Sequence, residues 1–154
     1  MKFSAALALS LFASAAVAEP ANVNIDVFKA TGYVRAPATP ADKKAADLPA
    51  PASIWNGSAW WQVLTYCSAM HGVQELRLED GGEPAVAEQR ALGRRYHDLA
   101  IERLKTDRGI AADAAGKVVE AETYYWTYSF LDQTLNYRLE ALTCRFAEGK
   151  SKMS

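Results

Sequence analysis

Cys67 and His71 stand one helical turn apart, so the Cys-x-x-x-His spacing presents both side chains on one face, and Glu75 continues that row with some angular drift. A soft metal could use such a row. Zinc sites typically need four ligands, however, and a thiolate committed to a disulfide is lost to a metal, so no metal site is assigned and His71 remains a weak candidate. Met70 could ligate copper or haem, but an unbranched thioether is better suited to filling a gap in packing. The chain holds no Cys-x-x-Cys-His haem attachment motif and no Cys-x-x-Cys redox pair, and no cofactor is expected.

His97 beside Asp98 offers a base and an acid, with Ser68 and Ser129 as the available nucleophiles. Neither serine lies in a Gly-x-Ser-x-Gly turn, and adjacent helical residues point about 100° apart, which sets His97 and Asp98 poorly for bonding each other. Glu120 and Glu122 diverge in the same way, whereas glycosidase chemistry needs two carboxylates facing one cleft. Gly81-Gly82 is too generic for a phosphate loop. No catalytic residue is assigned, and the balance favours a non-enzyme.

Aromatic residues gather in two places: Trp55, Trp60 and Trp61 near the start of the first helix, and Tyr124, Tyr125, Trp126, Tyr128 and Phe130 in the third. If the two meet, Trp60, Trp126, Phe130 and Tyr137 could frame a pocket for a small apolar ligand. Trp61, about 100° off the main stripe of its helix, is the indole expected to be exposed.

The elements that must position these residues follow from composition and periodicity. The chain has 154 residues, 50% hydrophobic and 23% charged, which suits one compact domain. With 17 Lys+Arg against 18 Asp+Glu, a nucleic-acid binder working by phosphate neutralisation is disfavoured. Lys2, the small and apolar run Ala5 to Ala16, and Ala16-Val17-Ala18 make residues 1–18 a signal peptide cleaved near Ala18, which predicts a periplasmic or secreted protein. No later segment is long and charge-free enough to span a membrane. In an oxidising compartment the two cysteines, Cys67 and Cys144, are expected to pair.

Residues 19–57 read as an extended Pro/Ala-rich arm or linker. Val23, Ile25 and Val27 alternate with polar residues, and Pro37, Pro40, Pro49 and Pro51 exclude continuous helix. Residues 58–148 read as a helical domain and 149–154 as a flexible tail. The first helix runs from a Ser58 cap to about Leu78, with Trp60, Val63, Leu64, Cys67, Met70 and His71 on one face. The second runs from about Pro84 to Thr106, buries Gln89, Leu92, Gly93, Tyr96, Leu99, Ala100 and Leu104, and stops at Gly109. The third continues from Ala112 to about Ala147, roughly 54 Å at 1.5 Å per residue. The fold class is therefore all-α: a three-helix bundle, or a four-helix one if the third helix breaks, behind an extended arm.

The third helix is apolar along two opposed edges. Val119, Trp126, Phe130, Tyr137 and Cys144 line one; Tyr124, Tyr128, Leu131, Leu135, Leu139, Leu142 and Phe146 line the other, with Asn136, Arg138 and Arg145 between. A surface helix needs one stripe. This one is expected to be central, or to meet another chain through Leu131, Leu135, Leu139, Leu142 and Phe146. The functional expectation is an exported, non-enzymatic protein that associates with a protein partner or a second copy of itself; a binding module for a small apolar ligand or a metal is the alternative. One conflict stands out. In a plain up-down-up bundle Cys144 falls roughly 30 Å beyond the level of Cys67, while a disulfide needs Cα atoms within about 7 Å. The bridge then requires shifted turns, a wide loop, a crossed helix or a second subunit.

Overall fold

The computed structural model of the chain describes residues 35–78, 82–131 and 136–152. Residues 1–18, the alternating Val23, Ile25 and Val27, and Leu135 lie outside the described residues. Among those described the fold is all-α, with α1 at Trp60–Arg77, α2 at Glu83–Arg108, α3 at Ala112–Leu131 and α4 at Tyr137–Ser151, preceded by a short 3-10 turn at Ala52–Trp55. No helix among them is long and apolar enough to cross a membrane.

The central element is α1, which packs against α2, α3 and α4. Every residue from Ala59 to His71 is buried, so the helix hides its whole circumference. The expected central helix was the third; the first holds that place because its apolar residues run all the way round it. Of its buried polar groups, Gln62 Nε2 donates to Ala36 O (3.0 Å), Thr65 Oγ1 to Trp61 O (2.7 Å) and Ser68 Oγ to Gly93 O (2.9 Å), while the indole N–H groups of Trp60 and Trp61 are buried without an acceptor among the described residues. The N-cap is Ala59 rather than Ser58, and no side chain caps it. The segment before it does that work instead, Lys43 O accepting from Trp60 N at 3.0 Å.

The helix α2 follows its pattern closely. Pro84 occupies its first turn and Gly109, at φ 63, ends it in the left-handed region. Gly93, Tyr96, Ala100 and Leu104 are buried against the core.

The 112–147 rod is where expectation and structure part. The helix α3 ends at Leu131, and α4 begins at Tyr137 with the Asn136 side chain accepting from Leu139 N. Direction reverses across this break. Phe130 O accepts from Arg77 Nη2, the Arg77 guanidinium lies over the Tyr137 ring, the Tyr66 hydroxyl donates to Glu140, and Cys144 meets Cys67. As α4 advances it therefore passes backwards along α1, from residue 77 to residue 67. The two cysteines bond within one chain, Cα to Cα 5.6 Å. The spacing conflict is resolved by a reversal at the break, not by shifted turns: α1 runs past Gly72 to Arg77, and the second turn stays at Gly109. Helix also continues through residues 149–151, read from sequence as tail, and Arg103 Nη1 donates to Ser151 O.

Residues 35–59 form a strap bound to this bundle. Glu122, wholly buried on α3, accepts from Arg35 Nε (2.7 Å), Ala36 N (3.1 Å) and Trp126 Nε1 (3.1 Å). Burial drives its pKa above the ordinary value, and the Arg35 charge offsets only part of that. Asp42 takes both nitrogens of Arg108, at 2.7 and 2.8 Å, and Arg108 also donates to Pro37 O. Burial alone would raise the Asp42 pKa; the Arg108 hydrogen bonds and the Thr39 N–H bring it below the ordinary value.

Two outcomes follow. With Cys67→Ala and Cys144→Ala together, unfolding free energy falls by about 2 to 5 kcal/mol, and hydrogen exchange shows α4 losing protection first. Equal protection of α4 and α1 in that variant would mean that packing, and not the bridge, holds α4. Second, because folded Glu122 keeps its proton to higher pH than the unfolded chain, its contribution to stability declines as pH rises above the ordinary glutamate value of 4.5. Urea unfolding between about pH 4 and 7 should show that component disappear in Glu122→Gln; an identical slope in both proteins would refute it.

Candidate functional site

The residues with chemical potential sit in four places, each built by a different pair of elements. In the core, Cys67 and Cys144 are both fully buried and spent on each other. His71 is buried one turn further along α1, its ring stacked on Tyr96 (5.4 Å between centroids) and its Nδ1 2.8 Å from Gln89 Oε1. Burial lowers its pKa, which favours the neutral ring. Glu75 pairs instead with Arg90 at 2.7 Å, and Met70 is core. The Cys67-His71-Glu75 row thus exists as a row, but its members are committed to three different partners.

A cleft of about 430 Å³ opens where α2 and α3 diverge over α1. Ser68, His97 and Asp98 all line it, with Arg94, Thr123 and Thr127. Sequence reasoning named the first three, and the fold brings them to one concavity. Ser68 Oγ donates to Gly93 O, and neither His97 nor Asp98 is hydrogen-bonded or ion-paired among the described residues. Glu120 is exposed while Glu122 is buried under the strap, so these two carboxylates share no cleft. The cleft floor is made by small residues. An added Cβ at Gly72 would meet no heavy atom within 4 Å, whereas one at Gly93 would touch Ser68 O at 3.5 Å and His71 Cβ at 3.7 Å.

The aromatic residues do meet, as a filled cluster. Tyr66 packs edge-on against Trp126 (5.2 Å) and Phe130 (5.0 Å), and Trp55 adds a tilted contact with Tyr66 at 4.5 Å. The Arg35 guanidinium lies 5.0 Å from the Trp126 ring centre. Of the four residues expected to frame a pocket, Trp126 and Phe130 belong to this cluster, Trp60 is buried in α1, and Tyr137 lies under Arg77. None of the four lines the cleft. Trp61, expected outside, is fully buried with Arg108 over its ring, because the strap residue Asp42 holds that arginine in place.

The fourth place is the exposed apolar side chains of α3 and α4. On α3, Leu131 is 48% exposed and Tyr124 and Tyr128 are exposed; on α4, Leu139 is 46% exposed and Phe146 36%, and Leu142 is half-buried. The inner face of α4 buries Thr143, Cys144, Ala147 and Ser151, all small. Tyr137 and Ala141 pack partly buried against the core, while Leu139 and Phe146 are exposed. Arg138, Arg145 and Lys150 are exposed among them. At 100° per residue the two arginines border the stripe of Leu142, Phe146 and Leu139, which is where the sequence projection sets them.

Among the described residues the protein is thus four helices pinned by a disulfide and bound by the 35–59 strap. Compared with protein-family models, with curated proteins and with solved structures, the chain matches none.

The cleft geometry makes a prediction of its own. Gly72→Ala should raise stability by about 0.5 to 1 kcal/mol, since a mid-helix glycine is replaced where the new methyl has room. Gly93→Val should lower it by about 1 kcal/mol or more, its branches meeting the α1 backbone. Urea midpoints measure both, and a destabilising Gly72→Ala would show that the floor is not open there.

Proposed function

We propose that this is an exported, non-enzymatic helical protein that acts by associating with another protein chain, a second copy included, through the outer surface of α3 and α4. Leu131, Leu139, Leu142 and Phe146 are the anchors among the described residues; Leu135, part of the same expected stripe, lies outside them. The observation that carries this reading is the inversion of α4. A helix stabilised only by its own fold buries its large apolar side chains, and each one left in water forgoes on the order of 1.5 to 3 kcal/mol. Here the buried side is small enough that a disulfide secures it, and Leu139 and Phe146 are left facing out. The buried disulfide also fits an oxidising compartment. Nothing in the cleft or the aromatic cluster assembles a nucleophile, a base and an orienting group, which supports a binding role over a chemical one.

The test uses Leu139→Asp and Phe146→Asp. Both variants should melt within about 0.5 kcal/mol of the parent, as exposed positions do. A photo-crosslinking phenylalanine analogue at position 146 should give a discrete adduct, with a partner or with a second copy, that Leu139→Asp abolishes. Unfolding of both variants would make these side chains core; a folded Leu139→Asp chain with an unchanged adduct would remove the surface from consideration.

A further inference from the structure

We infer that the outer face of α4 receives an acidic partner protein, its carboxylates set against Arg138, Arg145 and Lys150 and its apolar side chains against Leu139, Leu142 and Phe146. This inference rests on the association reading above and specifies the chemistry of the partner.

The charge pattern of α4 is one-sided. Its acids are Glu140 and Glu148, and both are already satisfied from the inner and lateral sides: Glu140 by the Tyr66 hydroxyl, Glu148 by Arg95 and by Lys152 at 2.6 Å. Arg138, Arg145 and Lys150 are exposed and take part in no ion pair or hydrogen bond among the described residues. At 100° per residue, Arg145 and Arg138 border the stripe of Leu142, Phe146 and Leu139 on one edge, and Lys150 borders it on the other. The result is an apolar strip between cations with no free acid, on a chain whose overall balance is one charge to the acidic side. An apolar centre with a charged rim is the plan of a protein interface, and arginine at that rim suits bidentate capture of carboxylates.

This pattern selects among occupants. A second copy docked symmetrically through α4 would set like charges against each other, and a head-to-tail copy would build a ring or a filament, either of which sedimentation would show. A membrane-surface helix needs an apolar face along its length, whereas beyond Phe146 the outer face of α4 presents Gly149 and Lys150. An acidic, partly apolar protein surface satisfies both features together.

The experiment uses the mature full-length chain with its disulfide intact. The probes are two labelled amphipathic helical peptides of about 20 residues, with identical Leu and Phe positions and either Glu or Lys at the polar positions. Fluorescence anisotropy should show the Glu peptide binding at least about tenfold more tightly than the Lys peptide, the advantage shrinking as salt rises from about 50 to about 300 mM. The charge-reversed chain Arg138→Glu/Arg145→Glu/Lys150→Glu should invert that preference; if the triple variant does not fold, Arg145→Glu alone should reduce it. Equal binding of the two peptides, or no binding of the Glu peptide, overturns the inference. So does preferential binding to phosphatidylglycerol vesicles, or self-assembly into a ring or a filament in sedimentation. If the position 146 adduct is lost in Leu139→Asp but survives charge reversal, the acidic-partner chemistry fails while the association reading stands. If it survives both, the two fail together.

Discussion

The Cys67–Cys144 bridge is the constraint that gives α4 its place. Apart from Tyr137 and Ala141, which pack partly buried on the core, α4 turns inward only the small Thr143, Cys144, Ala147 and Ser151, and at about 25 cal/mol per Å² such a face holds a helix weakly. A bond closing 77 residues of sequence restricts the unfolded chain heavily enough to compensate. It also dictates the reversal after Leu131. With α1 and α2 joined by a short turn and α2 and α3 by another, a straight continuation of α3 would carry Cys144 far past its partner, so the helix has to end and return along α1. The covalent link and the four-helix arrangement are one fact seen at two scales.

The strap answers a different need. A helix as apolar as α1 requires cover on every side, and three helices leave part of it open; residues 35–59 supply the rest. Their attachments are polar and buried, which sets desolvation against charge pairing. At Asp42 the bidentate Arg108 and the Thr39 N–H win, and the carboxyl is held ionised below its ordinary range. At Glu122 desolvation wins, although three donors converge on the group: Arg35 reaches it through Nε, whereas Arg108 reaches Asp42 through two nitrogens. Two similar latches on one segment therefore respond to acid in opposite directions.

What could be read in advance, and what could not, divides along the range of the interactions. Gly109 and Pro84 act locally, through backbone dihedrals, and the bounds they set for α2 hold to within about two residues. The inward stripe of α2 is equally legible, since one-sided burial leaves a periodic trace. The break after Leu131 was harder. Asn136 is a good cap residue, but Leu131, Leu135 and Leu139 repeat at helical spacing, and periodicity argued for continuity. The strap contacts were not legible at all: Arg35 and Glu122 are 87 positions apart, and no local preference links them. Ser58 failed as a cap for a related reason, because Lys43 O, brought in from the strap, already serves the first turn of α1.

The same reasoning explains why the candidate site is better defined by its surface than by its chemistry. Catalytic groups are useful only when a second group orients them, and here most have been drawn into a structural partnership, Cys67 with Cys144, His71 with Gln89 and Tyr96, Glu75 with Arg90, Ser68 with Gly93, while His97 and Asp98 line the cleft without a group to orient them. On the outside of α4, Leu139, Phe146, Arg138, Arg145 and Lys150 are left exposed. Burying Leu139 and Phe146 within the chain would have required α4 to roll about its axis, carrying Cys144 away from Cys67, so the bridge that secures the helix also fixes which face it shows. A surface held in register by a covalent bond loses little conformational freedom on docking, and pre-organisation of that kind favours specific association more than additional apolar area would.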